Sequence, residues 1–214
     1  MEKPAIEKNL TEGDVIKQLI LFSLPFMLSN LIQTLYSVAD MLIVGNYMGS
    51  VGISGVNIGG QVTFLLTNIV IGLTVGGTVV IAQYLGSGDR KSMNETIATL
   101  LTFLLAAAVS LTVVMMLLSD VILRIIQTPA ESYKQAKDYL NITLSGTIFI
   151  FGYNAFAAIL RGLGDSKRPL VFVSIACALN VFLDLLFVGA FRMEARGAAL
   201  ATVISQAVSM ICCI

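Results

Sequence analysis

The chain has 214 residues, with 13 lysines and arginines, 13 aspartates and glutamates, and no histidine, so its formal net charge is zero. Hydrophobic residues make up 57% of the sequence and charged residues only 12%, whereas a soluble domain carries about 25% charged residues. This composition indicates an integral membrane protein. No basic stripe with interleaved aromatic residues is present, which argues against nucleic-acid binding.

Cysteine and metal chemistry are not indicated by the sequence. Cys177, Cys212 and Cys213 all lie in apolar runs, which suits reduced, packed thiols better than a disulfide framework. Without histidine, and without a cysteine pair at zinc spacing, a transition-metal site is not expected. We therefore predict no cofactor.

Six segments are long and apolar enough to cross a bilayer, since a span takes about 20 mainly apolar residues. The sequence thus predicts an all-α, polytopic bundle of six transmembrane helices over residues 15–214, after a cytoplasmic segment of residues 1–14. The third span is followed by a polar connection through Pro129, and the sixth ends without a charged flank, as in a fragment of a longer protein. The predicted spans are approximately Val15–Tyr47, Val51–Leu85, Ser92–Leu118, Ser132–Leu160, Pro169–Phe191 and Gly197 to the last residue.

The basic residues predict the orientation. With a cytoplasmic N-terminus, eight of the 13 basic residues fall on the inner side, including those of the short loops "SGDRK" and "GDSKR". Cytoplasmic loops carry an excess of lysine and arginine, so we predict that the N-terminus faces the cytoplasm.

Two aspartates are the most informative residues. Of the 13 acids, only Asp40 and Asp184 fall inside apolar spans. A charge at the bilayer centre costs at least about 2.5–3.5 kcal/mol, so such residues usually face a polar interior or bind something. The alternative is that each aspartate only hydrogen-bonds to neighbouring side chains and fixes the helix packing.

Span direction places these aspartates at similar depth. The first and fifth spans both run outward, so Asp40 and Asp184 lie in the outer half of the membrane. Asn180 precedes Asp184 by one helical turn on the same face, and Thr202 lies near the outer end of the sixth span. The sequence therefore predicts one pocket formed by these four residues. Two further polar residues share the helical stripe of Asp40, namely Gln33 and Ser37.

Hard oxygen ligands without sulfur or imidazole suit a proton or Na⁺. Two adjacent carboxylates in a low dielectric should not both stay ionised unless a cation joins them. A pair that alternately binds and releases H⁺ or Na⁺ is what a coupled transporter requires.

Glycine spacing and one proline are interpreted structurally. Three pairs of glycines four residues apart predict close helix packing: Gly45/Gly49, Gly55/Gly59 and Gly72/Gly76. Pro25 lies inside the first span and predicts a kink, which is either static or a hinge.

Four stretches in this order resemble the multidrug and toxic compound extrusion (MATE) family of secondary transporters: "LPFMLSNLIQTLYSVADMLIVGNYMG", "AQYLGSGDR", "ILRGLGDSKRP" and "ALNVFLDLLFV". The resemblance implies the N-terminal lobe of a twelve-helix transporter, with the C-terminal lobe missing from this chain. It also implies export of organic, often cationic, compounds in exchange for H⁺ or Na⁺. By motif, the cation site falls on Asp40, Asn180, Asp184 and Thr202, with Ala198 as a backbone-carbonyl contributor, and Na⁺ is a possible ligand. We also predict that the cavity is lined by Gln33, Tyr36, Ser37 and Asn154, of which Asn154 matches a pocket-lining position of the family. Pro25 matches the family's bend in the first helix and is the predicted hinge. The resemblance to prokaryotic members implies a prokaryotic plasma membrane.

The predicted function is therefore a non-enzymatic antiporter of the cell membrane, with the lipid bilayer, small organic substrates and the missing lobe as partners and no nucleic acid. A related lipid or polysaccharide flippase is an alternative, disfavoured because the spans contain no obvious buried basic residue. A non-transporting membrane subunit also remains open. An intramembrane aspartyl protease is disfavoured because "VAD" and "FLD" match neither signature of that class.

Overall fold

The computed structural model describes residues 14–213, which are helical almost throughout and contain no strand. The predicted cytoplasmic segment of residues 1–14 lies outside this range except for Asp14. A π-helical stretch, Leu185–Ala190, continues the fifth helix directly. The helices are α1 (Val15–Ser87), α2 (Arg90–Ile125), α3 (Ala130–Ser145), α4 (Thr147–Gly162), α5 (Lys167–Asp184) and α6 (Glu194–Cys212).

The helix α1 turns back on itself at Gly49. Its 73 residues would form a rod about 110 Å long, more than three times the hydrocarbon thickness of a bilayer. Gly49 has φ 66° and ψ −160°, a conformation that is essentially restricted to glycine. Val44 and Val56, on either side of this break, share one buried cluster. We therefore treat α1 as two antiparallel limbs, limb 1 (residues 15–48) and limb 2 (residues 50–87).

Counting the two limbs separately gives six membrane crossings. Four helices are long and apolar enough to span a bilayer, and α3 and α4 together form a bent fifth span. Because α1 supplies two of these crossings, the described residues form the six-helix, all-α membrane bundle that the sequence predicts.

The helices differ from the predicted spans in two details. The predicted fourth span, Ser132–Leu160, is present as the pair α3 and α4, which meet at Gly146 with a bend of 51° instead of forming one straight helix. Val203 of α6 packs where a side chain at position 146 would lie, so the bend brings α6 against the backbone. The third span does not end at Leu118, since α2 continues to Ile125. Its polar end is used for packing on α3, where Tyr133 and Lys137 donate hydrogen bonds to the carboxylate of Asp120 at 2.7 and 2.8 Å.

Two of the glycines of limb 2 pack tightly against α3, and two others do not. A Cβ atom at Gly55 would lie 2.7 Å from Cβ of Gln135, and one at Gly59 would lie 2.8 Å from Cδ1 of Tyr139. This face packs tightly on α3, as the spacing predicts. Gly72 and Gly76 have no other described atom within 4 Å of such a Cβ, so the packing prediction is wrong there.

The turns define two ends of the bundle. The first end holds Asp14, the turn at residues 88–89 and the turn at residues 163–166, and the second end holds Gly49 and the turn at residues 126–129. At the first end, the hydroxyl and backbone N–H of Ser92 donate to the carboxylate of Asp89 at 2.7 and 3.1 Å. These bonds favour the ionised form and hold the pKa of Asp89 below its usual value.

Candidate functional site

The structure brings the two intramembrane aspartates together. Asp40 lies on limb 1 and Asp184 is the last residue of α5, and their side chains lie close together. The two residues are only 7% and 0% exposed. Limb 1 and α5 both run from the first end toward the second end, so both residues lie in the half of the bundle near the second end.

The polar atoms at this site are not matched by protein partners. Among the described residues, Oδ1 of Asp40, both carboxylate oxygens of Asp184, and both amide atoms of Asn180 are buried without a hydrogen bond. Leaving one buried polar group unsatisfied costs about 1–3 kcal/mol, and more if the group is charged. Because ionised carboxylates only accept hydrogen bonds, the pair fits a shared proton or a small hard cation.

A set of hydroxyl groups lies beside the carboxylates. The hydroxyl of Tyr36 lies 3.3 Å from Oγ1 of Thr202, and Tyr139 lies near Thr202, Asp40 and Asp184. Tyr139 is 6% exposed and comes from α3, near the start of the predicted fourth span. The sequence prediction missed this residue. The one sequence feature that relates to its position is Gly59, because a residue without a side chain there leaves room for the ring of Tyr139.

The π-helical stretch after Asp184 anchors α5 against limb 1. Val188 is buried in the same cluster as Ile43 and Val44. A Cβ atom at Gly189 would lie 3.1 Å from Cζ of Tyr47, so limb 1 and α5 are in close contact here. Stretches of π-helix are frequent at functional sites, and this one fixes the depth of Asp184 relative to Asp40.

The other predicted site residues lie in different surroundings. Ala198 is fully buried in the cluster that contains Tyr139 and Val188. The amide of Asn154 donates to the backbone oxygen of Ile150 on its own helix at 2.8 Å. The roles of these residues as a carbonyl ligand and a lining residue stay predictions.

Limb 1 carries the remaining predicted residues. Gln33 and Ser37 are exposed, and the hydroxyl of Ser37 donates to the backbone oxygen of Gln33 at 3.0 Å. Their role as cavity-lining residues stays a prediction. Pro25 is buried within a continuous stretch of helix, and Ser29 donates a hydrogen bond to its carbonyl oxygen at 2.9 Å. Its hinge role stays a prediction.

One basic residue is buried more than the sequence suggested. Arg161, near the end of α4, is partly buried and lies over the ring of Phe26 on limb 1, with 5.4 Å between its guanidinium carbon and the ring centre. The partly buried Arg161 therefore leaves a flippase less disfavoured than the sequence alone indicates. Within residues 14–213, no three His, Cys, Asp or Glu side chains gather to hold a metal ion.

Comparison with known proteins identifies the family. The MatE family model matches residues 25–186, most of the chain. The chain belongs to the MatE family. The MatE relatives include the probable multidrug resistance protein YpnP of Bacillus subtilis, 34% identical over 203 residues, and the probable multidrug resistance protein NorM of Thermotoga maritima, 34% identical over 198 residues.

These relatives are about twice as long as the chain. The matches cover 95% and 90% of the chain but only 46% and 42% of YpnP and NorM. Among solved structures, a MOP superfamily transporter from Pyrococcus furiosus superposes with a TM-score of 0.92 at 28% identity. That match covers 98% of the chain and 46% of the transporter. The chain thus corresponds to one lobe of a MatE transporter and is a multi-pass membrane protein.

Proposed function

We propose that the protein exports organic, often cationic, compounds in exchange for H⁺ or Na⁺, and that Asp40 and Asp184 bind the coupling ion. The observation that supports this proposal is the buried carboxylate pair, in which Oδ1 of Asp40 and both oxygens of Asp184 have no hydrogen-bond partner among the described residues. The names of the relatives, which describe probable multidrug resistance proteins, support the choice of substrate class.

Electrostatics gives the pair its coupling capacity. Two like charges about 4 Å apart repel by about 4 kcal/mol at the effective dielectric of a protein. A bound proton or Na⁺ removes this repulsion and draws Asp40 and Asp184 together. Losing the ion restores the repulsion, so the ion-bound and ion-free states favour different distances between limb 1 and α5.

Limb 1 is suited to respond to this change because it is sparsely embedded. Within the described residues it buries only Pro25, Ser29, Asp40, Ile43 and Val44. Most of its apolar side chains are exposed, including Leu31 at 54% and Leu35 at 60%. Displacing limb 1 therefore disrupts few protein contacts, and Pro25, which cannot donate a backbone hydrogen bond, is the weakest point along it.

The hydroxyl groups extend the site toward α3 and α6. Thr202 can serve as a neutral oxygen ligand for Na⁺, or it can accept and donate hydrogen bonds beside a shared proton. Tyr36 and Tyr139 orient Thr202 and close the site on two sides. The oxygen-only set of ligands is compatible with either ion, and the transport experiment below distinguishes them.

The test is substrate transport in proteoliposomes containing the purified protein, driven in parallel by a proton gradient and by a Na⁺ gradient. We expect Asp40→Asn and Asp184→Asn each to reduce ion-driven transport at least about tenfold while membrane insertion is unchanged. The ion whose gradient drives the wild-type protein is the coupling ion. Normal gradient-driven transport by both variants would contradict the proposal.

Asp120→Asn is the matched control. Asp120 is also an aspartate within a span-length helix, but its side chain is half-exposed and hydrogen-bonded to Tyr133 and Lys137. The same substitution there should leave transport close to the wild-type rate. An equal loss in this control would show that the assay reports general damage to the fold.

A further inference from the structure

Arg161 lies at the first end of the bundle, away from the carboxylate pair, and its side chain is partly buried between α4 and limb 1. Within residues 14–213, the guanidinium forms no ion pair and no hydrogen bond. Its charge makes a cation–π contact with the ring of Phe26. A buried or half-buried arginine is normally paired, because desolvating the charge is costly.

The contact with Phe26 leaves the hydrogen-bonding capacity of Arg161 unused. A cation–π contact is worth about 0.5–2 kcal/mol and involves the flat face of the guanidinium. The five N–H donors point outward in the plane of the group and need acceptors. Tyr153 lies near Arg161, but its hydroxyl donates to the carbonyl oxygen of Pro169 at 3.4 Å.

The acidic residues nearby are engaged elsewhere. Asp165 accepts hydrogen bonds from the backbone N–H groups of Lys167 and Arg168 at 3.0 and 3.3 Å, and it forms an ion pair with Arg168 at 3.3 Å. Asp14 and Asp89 accept the first N–H groups of α1 and α2 in the same way. The carboxylates at the turns of this end thus cap helices, and the charge of Arg161 is left without an acidic partner among the described residues.

The surroundings of Arg161 combine this charge with an exposed apolar surface. Phe26 is 42% exposed, and its neighbours on limb 1, Leu24 and Met27, are 51% and 63% exposed. Acceptor groups for the guanidinium must therefore come from a molecule that also tolerates apolar contacts. A phospholipid provides this combination, because its phosphate is held directly beside its acyl chains, and arginine matches phosphate through paired hydrogen bonds.

We propose that Arg161 and the ring of Phe26 form a binding site for the phosphate of an anionic phospholipid in the leaflet at the first end of the bundle. The guanidinium donates to the phosphate oxygens, and the exposed side chains of limb 1 contact the acyl chains. Because Phe26 directly follows Pro25, lipid bound here holds this part of limb 1 against α4. The site is independent of the ion-coupled export proposed above, since lipid binding is measured without transport.

The test is native mass spectrometry of the purified protein with phosphatidylglycerol, together with its thermal unfolding in phosphatidylglycerol and in phosphatidylcholine vesicles. We expect Arg161→Gln to reduce phosphatidylglycerol binding about tenfold, the value of a lost charge-assisted hydrogen-bond pair. It should also abolish the stabilisation that phosphatidylglycerol gives over phosphatidylcholine. Lys167→Gln, which removes an exposed charge from the same end, should change both readouts little.

A second variant, Arg161→Lys, and a measurement with inorganic phosphate also test the proposal. If Arg161→Gln does not fold, Arg161→Lys keeps the charge but loses the planar fork, and it should weaken phosphatidylglycerol binding by a smaller factor than complete loss. Equal binding by wild type and Arg161→Lys, or an equal loss in Lys167→Gln, would overturn the proposal. Stabilisation by inorganic phosphate in phosphatidylcholine vesicles, dependent on Arg161, would overturn the assignment to a lipid in favour of a soluble anion.

Discussion

The ring of Tyr139 lies directly against the backbone of Gly59: a Cβ atom at position 59 would be 2.8 Å from Cδ1 of the tyrosine and 3.1 Å from the carbonyl oxygen of Ala136. This contact sets where Tyr139 stands relative to Asp40 and Asp184. The packing of limb 2 on α3 is thus linked to the geometry of the candidate ion site.

Gly59→Ala is predicted to destabilise the protein. The added methyl group meets an aromatic ring and a backbone oxygen, and overpacking of this kind costs about 1–3 kcal/mol. The free energy of unfolding in mixed micelles measures the loss, and ion-driven transport should fall with it because Tyr139 is displaced. Gly76→Ala is the matched control, since a Cβ there has no other described atom within 4 Å. Equal stabilities of the two variants would contradict the packing described here.

Gly49→Ala is predicted to weaken the reversal between the two limbs of α1. The conformation at Gly49, φ 66° and ψ −160°, costs any residue with a Cβ about 1–3 kcal/mol. The same unfolding measurement should show that loss. Gly72→Ala provides the comparison, because position 72 is an open helical site where alanine is neutral or stabilising by about 0.5–1 kcal/mol. A Gly49→Ala variant as stable as Gly72→Ala would show that α1 does not reverse at this residue.

Tyr36→Phe is predicted to weaken ion binding without abolishing transport. The substitution removes the hydroxyl that lies 3.3 Å from Thr202, and a hydrogen bond of this type contributes about 1 kcal/mol, or roughly fivefold in affinity. The half-saturating concentration of the coupling ion in proteoliposomes measures the effect. Tyr47→Phe makes the same chemical change at a residue that is 57% exposed. An unchanged half-saturating ion concentration in Tyr36→Phe, or an equal increase in Tyr47→Phe, would show that Tyr36 is not part of the ion site.

Much of the fold could be predicted from the sequence because its strongest signal is hydropathy. The number of spans follows from apolar run length, and the depth of Asp40, Asn180 and Asp184 follows from the direction of each span. The bend at Gly146 was not predicted, because a single span was expected across this residue. The packing of Val203 from α6 at this glycine is visible only in three dimensions.

The candidate site was predictable only in part. Asp40 and Asp184 stand out because a carboxylate in an apolar run is unusual, and the structure places them together. Tyr139 gave no such signal, because a tyrosine in an amphipathic helix is ordinary. Its position depends on the glycine at position 59 on another element. Arg161 was treated as a loop residue because it follows the fourth apolar run, and only the three-dimensional contact with Phe26 shows that it is partly buried.

Infrared difference spectroscopy of the purified protein in lipid, between acidic and alkaline buffer and between Na⁺ and choline, tests most directly whether the carboxylate pair binds the coupling ion. We predict a carboxyl signal that changes with pH, with Na⁺ or with both, that is lost in Asp40→Asn and Asp184→Asn, and that remains in Asp120→Asn. Spectra of both variants that match the wild-type protein would contradict the assignment of the ion site to Asp40 and Asp184.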